Sequence, residues 1–192
     1  IMIFLVDGHN DIILVFFLLW SLRELKRGNG LVAFLAFVLS FLSKYITVIF
    51  APFYIMYYLK KYREWGKRVI FAVWALVIGS LVCFFVIKPF WCGMKFFEGL
   101  SCARAAFHEN AITYVWYKIF LVFIPNLSRA DGMFFLQIVF LLVYGVFLYT
   151  FFRGSRTVDD VIRGMLVVFA AYLCLASFQF GAWYVIWILP FL

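Results

Sequence analysis

The chain has 192 residues, of which 68% are hydrophobic and 14% charged, and its formal net charge is +8. A soluble domain carries about a quarter charged and about half apolar residues, so this composition excludes an ordinary water-soluble globule. It also excludes disorder, which needs low hydrophobicity and high charge. With a mean hydropathy of +1.06 and 23% aromatic residues, the sequence predicts an all-α, polytopic transmembrane protein.

Apolar runs alternate with polar breaks along the whole chain. A helix needs about 20 predominantly apolar residues to cross the hydrocarbon core of a bilayer, and several runs approach that length. In chain order the runs are 12–22, 31–59, 69–87, 112–125, 133–152, 161–177 and 178–192. Because the chain starts at Ile1 and stops at Leu192 inside the last run, we expect it to be an internal or C-terminal piece of a longer protein.

Basic residues cluster in two short loops, 23–30 and 60–68. Lys and Arg in short loops stay on the cytoplasmic side, so the positive charge indicates membrane orientation rather than a nucleic-acid partner. If both loops face the cytoplasm, the run between them forms a re-entrant pair of short helices that turns near Ser43 and Lys44. The alternative is one long tilted helix kinked at Pro52.

This topology predicts which segments share the opposite, exoplasmic face. Counting crossings from the second basic loop places the loop 88–132 outside, with the run 112–125 as an interfacial or partly inserted helix. The segment 178–184 and the polar residues that precede the first apolar run also lie outside. Polar groups from distant stretches of the chain are therefore expected to converge at one non-cytoplasmic surface.

The first of these polar groups is a dense cluster at the mouth of the first apolar run. Ionisable groups at a membrane boundary are costly and mark a functional site by default. The alternative is a helix N-cap, which explains one such residue but not four. The cluster consists of Asp7, His9, Asn10 and Asp11.

Two further places carry polar or aromatic side chains that need an explanation. Lys44 lies between apolar stretches, where it either reaches an interface with its long stem or binds a phosphate as a point charge with three donors. Gln179, Trp183, Tyr184 and Trp187 form either part of a substrate site or an aromatic belt at the membrane surface.

Together these positions resemble the GT-C superfamily of membrane glycosyltransferases. Residues 6–11, Val-Asp-Gly-His-Asn-Asp, are similar to the GHND element of polyprenyl-phosphate-dependent mannosyltransferases. Residues 39–45, followed by Pro52, resemble a second segment of these transferases, in which a Lys is followed later by a Pro. Residues 178–190 resemble a QPWYLLWLLP signature, from which they depart at Ala182, where the signature has Pro. The three elements occur in the family's order and cover most of the chain.

The resemblance implies an integral, multi-pass membrane protein with a GT-C-like transmembrane region over 1–192. It implies inverting transfer of a sugar, mannose above all, from a polyprenyl- or dolichyl-phosphate carrier. The acceptor is a glycan, glycolipid or protein on the exoplasmic or lumenal face of a bacterial plasma membrane or the ER. The family's acidic catalytic residue lies on an earlier loop, upstream of Ile1, so we expect this chain alone to be inactive.

The resemblance also assigns roles to the residues of the site. Asp7 or Asp11 orients sugar or acceptor hydroxyls, with His9 and Asn10 as further hydrogen-bond partners. Lys44 neutralises the carrier phosphate, and Gln179, Trp183 and Tyr184 contact the sugar or the prenyl chain, while grooves between helices admit the lipid. The four cysteines show no metal-ligand spacing, so neither a metal nor another cofactor is expected.

Two other classes of protein remain open from the sequence. A transporter or flippase for a lipid or sugar would use Asp7–Asp11 and Lys44 as substrate sites, and it predicts inverted repeats, which the sequence does not show. A structural subunit of a membrane complex predicts no clustering of polar residues on one face.

Overall fold

The computed structural model describes residues 11–62, 64–91, 93, 111–154, 157–177 and 182–191. Within these residues the chain is all-helical and contains no strand, which confirms the all-α prediction. The described residues form seven α-helices and three 3₁₀ segments. The α-helices are α1 (Asp11–Arg27), α2 (Gly30–Ser43), α3 (Ala51–Lys61), α4 (Trp65–Ile87), α5 (Ile112–Phe123), α6 (Arg129–Gly154) and α7 (Val158–Leu175). The 3₁₀ segments are Tyr45–Phe50, Lys88–Phe90 and Ala182–Phe191.

Helix α1 lies at the centre of the fold and packs against α2 and the C-terminal 3₁₀ segment. Its buried stripe follows helical spacing, with Leu14, Leu18, Leu22 and Leu25 at most 3% exposed. The opposite face is also apolar, since Phe16 is 60% exposed. A helix that is apolar all round belongs in a large core or in a membrane.

In the part of the chain that the structure describes, two helical stretches are long and apolar enough to cross a bilayer. They are Trp65–Phe90 and Arg129–Gly154, each of 26 residues, and they contain the predicted runs 69–87 and 133–152. Only 11% and 17% of their most apolar windows are buried, unlike the core helices of soluble proteins. Helix α7 has 18 residues and carries two aspartates and an arginine in its first turns.

The segment between the two basic loops is not one continuous helix. Helix α2 ends at Ser43, and Lys44 is extended, with φ −158° and ψ 119°. The Ser43 hydroxyl donates to the Leu39 carbonyl, 2.8 Å away, a contact that bends helix ends. The β-branched run 46–49 follows, which further disfavours continuation of the helix. The break therefore falls at the predicted turn, while Pro52 sits in the first turn of α3, where it is tolerated.

The two ends of this segment lie side by side. The Tyr58 hydroxyl donates to the Gly30 carbonyl over 3.0 Å, and the Lys61 ammonium donates to the Gly28 carbonyl over 3.3 Å. The chain thus leaves and rejoins the same end of the helix bundle. We call residues 30–61 the helical hairpin.

The bundle has a basic end and an opposite end. Lys26 at the end of α1 pairs with Asp159 at the start of α7, at 3.0 Å, beside the base of the helical hairpin. Asp11 begins α1, about 22 Å from Lys26 along the helix axis at 1.5 Å per residue. Lys44, at the tip of the helical hairpin, contacts Asp11 and so shares that opposite end.

Candidate functional site

Three segments far apart in the chain meet at a single carboxylate oxygen. The Lys44 ammonium donates to Asp11 Oδ1 over 2.7 Å, and the Trp187 indole N–H donates to the same oxygen over 2.6 Å. Asp11 comes from the start of α1, Lys44 from the hairpin tip and Trp187 from the C-terminal 3₁₀ segment. We call these residues, together with Tyr184, the Lys44 cluster.

Burial separates the roles of the two charged residues. The Asp11 side chain is 0% exposed and the Lys44 side chain 25% exposed. A buried carboxylate is tolerated only where donors reach it, and here two charge-assisted hydrogen bonds reach its Oδ1 atom. The first turn of a helix also favours a negative charge. Asp11 is therefore fixed within the protein, while the ammonium beside it reaches the exterior.

Two aromatic rings complete the surroundings of the ammonium. The Lys44 Nζ atom lies 4.7 Å from the ring centroid of Trp187 and 5.2 Å from that of Tyr184. The two rings are 4.4 Å apart, and both residues are at most 5% exposed. Electron-rich ring faces attract a cation, so the rings and the carboxylate hold the ammonium in one place.

The scaffold behind the cluster is tightly packed. Phe169 of α7 lies against Trp187 with ring centroids 5.4 Å apart. The space left among Trp187, Leu14, Leu18 and their neighbours is about 10 Å³, at the lower limit for one water molecule. Among the described residues, the exposed side of Lys44 is therefore the approach that this packing leaves to a ligand.

A larger groove begins beside the cluster, at Tyr45. Its volume is about 1040 Å³, at the upper end of the range for small-molecule sites. The polar groups along it include Arg129, Asp131 and Gln137 of α6. The Tyr144 hydroxyl donates to the Ile49 carbonyl over 2.6 Å and fixes α6 to the hairpin side of the groove. The apolar lining comprises Ile46, Val48, Ile49, Met133, Phe134, Phe140 and Leu141.

The predicted site residues divide into two groups. The structure brings together Asp11, Lys44 and Tyr184. Outside the described residues lie Asp7, His9, Asn10 and Gln179, and likewise the side chain of Trp183. Among the described residues, no three His, Cys, Asp or Glu side chains are grouped so as to hold a metal ion.

Trp187, which the sequence left open between a substrate site and an aromatic belt, donates its indole N–H directly to Asp11. The available signal was chemical, because a buried indole N–H requires an acceptor. Which carboxylate accepts the bond cannot be read from the spacing of residues in the chain.

Comparison with protein-family models, curated proteins and solved structures finds no match for this chain.

Proposed function

We propose that the chain is the membrane region of a GT-C-like glycosyltransferase that accepts a lipid-phosphate-linked sugar, most often mannose, and inverts the anomeric carbon. The observation that carries the proposal is the Lys44 cluster. One residue from each of the three segments that resemble the family, Asp11, Lys44 and Tyr184, meets the others in space. If the three short segments resembled the family only by chance, there would be no reason for them to meet in the folded chain.

The position of the cluster supports an exoplasmic site. Nine of the described Lys and Arg residues lie toward the basic end, in or beside 23–30, 60–68 and 153–163. The positive-inside rule assigns that end to the cytoplasm. The helical hairpin is then re-entrant from the cytoplasmic side, and its tip reaches about 20 Å from the base of α2. Since the hydrocarbon core is about 30 Å thick, the cluster is recessed below the outer interface.

The chemistry of the cluster suits the phosphate of a lipid carrier. An ammonium has three N–H donors, and the one directed to Asp11 leaves it able to bind a phosphate oxygen from the exposed side. The groove at Tyr45 supplies an apolar path for the hydrocarbon chain, with Arg129 at its polar end. A lipid-phosphate donor thus has a charged head group that matches Lys44 and an apolar chain that matches the groove.

The transfer proceeds as an exchange of bonds at the anomeric carbon. A lone pair of the acceptor hydroxyl forms the new C–O bond as the bond to the phosphate oxygen breaks, and its electron pair stays on the lipid phosphate. The hydroxyl proton passes to a carboxylate base, which the family resemblance places upstream of Ile1. Lys44 stabilises the charge that develops on the leaving phosphate. Asp11 is buried and already accepts two hydrogen bonds, which disfavours it as the base.

Membranes that contain the full-length protein allow a direct test. Transfer from radiolabelled polyprenyl-phosphate-mannose should fall at least about 100-fold in Lys44→Met, the usual scale for one electrostatic group at a leaving charge. Lys118→Met is the matched control, because Lys118 also lies over a tyrosine ring, at 5.3 Å, but outside the cluster. Equal activity in the two variants would refute the role of Lys44.

The transporter alternative makes a different prediction in the same membranes. It expects lipid to move between leaflets without formation of a glycosylated product, and it expects polar groups at several depths of the bundle. Transbilayer movement that depends on Lys44, with no transfer to any acceptor, would replace the transferase proposal.

A further inference from the structure

The positive charge of Lys44 and the negative charge of Asp11 lie 2.7 Å apart, so the ion pair in the Lys44 cluster has a net charge of zero. Any anion that binds the ammonium must therefore lie near the carboxylate. With hydrogen bonds of about 2.8 Å on both sides of a tetrahedral nitrogen, the anion comes within roughly 4.5 Å of Asp11. The attraction of Lys44 and the repulsion of Asp11 act on the same ligand atom.

This geometry matters because substrate and product of the proposed reaction differ in charge. A sugar-phosphate lipid is a phosphodiester with one negative charge. The spent carrier is a phosphate monoester, whose second pKa is about 6, so it carries nearly two charges at neutral pH. A bare lysine would hold the product more tightly than the substrate and would slow its release.

We propose that Asp11 is a positioning residue and counter-charge that keeps Lys44 from preferring the doubly charged lipid phosphate over the singly charged sugar-phosphate lipid. The inference rests on the proposed function, and it assigns to Asp11 a role in specificity and product release rather than in proton transfer. Asp11 suits this role because it is fully buried and Trp187 fixes its position. Its charge is consequently poorly screened by salt and cannot move away from the ligand.

The size of the effect follows from the distance. At roughly 4.5 Å, even the dielectric constant of water gives a repulsion per added charge equivalent to about fivefold in affinity, and a less polar surrounding gives more. Removing the Asp11 charge should therefore shift the preference toward the monoester by roughly fivefold or more, whereas loss of a purely structural contact would weaken both ligands alike.

The experiment uses the full chain in lipid nanodiscs at pH 8 and two probes with the same prenyl chain, the phosphate monoester and its methyl diester. We measure both Kd values. The wild type should bind the two probes within about threefold of each other, since attraction and repulsion nearly cancel for the second charge. Asp11→Asn should favour the monoester by roughly fivefold more than the wild type does, and the charge-preserving Asp11→Glu should keep the wild-type ratio.

The outcomes separate this inference from the proposed function. If Lys44→Met weakens both probes while Asp11→Asn leaves their ratio unchanged, the counter-charge role is refuted and the phosphate site stands. If Lys44→Met changes neither affinity, both proposals fall. Should Asp11→Asn not fold, the wild type alone decides, because a preference of more than tenfold for the monoester overturns the inference and near-equality supports it.

Discussion

The ion pair between Asp11 and Lys44 predicts that its two residues are unequal in their effect on stability. Lys44→Met leaves a carboxylate that is 0% exposed with its ammonium partner gone, and removing one member of a buried pair costs ~3–5 kcal/mol. Because Trp187 still donates to the same oxygen, we expect the lower end, about 3 kcal/mol of unfolding free energy. Asp11→Asn should cost only about 1 kcal/mol, since Lys44 is 25% exposed and its long stem reaches water.

The double variant Asp11→Asn/Lys44→Met removes both charges and should be more stable than Lys44→Met alone. We expect a coupling energy of about 2 kcal/mol between the two positions. The measurement is a double-mutant cycle by equilibrium unfolding with SDS in detergent micelles, followed by helical circular dichroism. All four proteins contain the same helices, so differences in unfolding free energy report the pair itself.

A matched pair at the surface gives the control. Glu64 and Lys67 lie 2.9 Å apart but are 70% and 61% exposed, so the cycle Glu64→Gln/Lys67→Met should show at most about 0.5 kcal/mol of coupling. Equal coupling in the two cycles, or a larger cost for Asp11→Asn than for Lys44→Met, would refute the reasoning from burial.

Two further predictions concern packing and sidedness. A Cβ at Gly164 would lie 2.6 Å from a ring atom of Phe53, so Gly164→Ala should destabilise the protein by about 1 kcal/mol in thermal unfolding. Gly145→Ala is the control: its Cβ would meet nothing within 4 Å, so it should stabilise the protein by ~0.5–1 kcal/mol. Destabilisation by both substitutions would mean that helix flexibility rather than space decides. Single cysteines at positions 61 and 118, in a cysteine-free background, should react with a membrane-impermeant maleimide from opposite sides, and labelling of both from one side would refute the proposed orientation.

Much of the helical fold was predictable because apolar runs of the right length leave few alternatives. The predicted run 133–152 lies inside α6, which begins earlier, at Arg129. There the Ser128 hydroxyl and the Asp131 carboxylate bond to each other at 2.6 Å and close the first turn. The apolar pattern predicts the interior of the helix, but polar residues determine where it starts.

Helix α7 shows the same difference between an interior that the apolar run predicts and a start that polar residues determine. The run 161–177 predicts its interior, but the helix begins at Val158 because Thr157 and Asp160 form a capping box, with the Asp160 amide donating to the Thr157 hydroxyl over 3.1 Å. That spacing is visible in the sequence and was available as a signal. The break at Lys44 was predicted from charge in the neighbouring loops, and the structure adds its local cause at Ser43.

The sequence predicted Asp11, Lys44 and Tyr184 of the Lys44 cluster as site residues, but it did not predict their contacts. The sequence singled out Asp11 and Lys44 separately, since each is an ionisable group beside an apolar run. That they bind each other depends on the helical hairpin bringing its tip back to the start of α1. The participation of Trp187 depends on how the C-terminal 3₁₀ segment packs against α1. Long-range geometry of this kind leaves no trace in residue spacing.

In the membrane orientation that we propose, the closed base of the helical hairpin, where Tyr58 and Lys61 donate to the carbonyls of Gly30 and Gly28, bears on how the chain inserts. A segment that enters and leaves the membrane at the same surface does not change whether the number of crossings before α4 is odd or even. Loss or gain of this hairpin would therefore leave α4 and the helices after it in the same orientation. Under this proposal, the element that supplies Lys44 can change without inverting the rest of the protein.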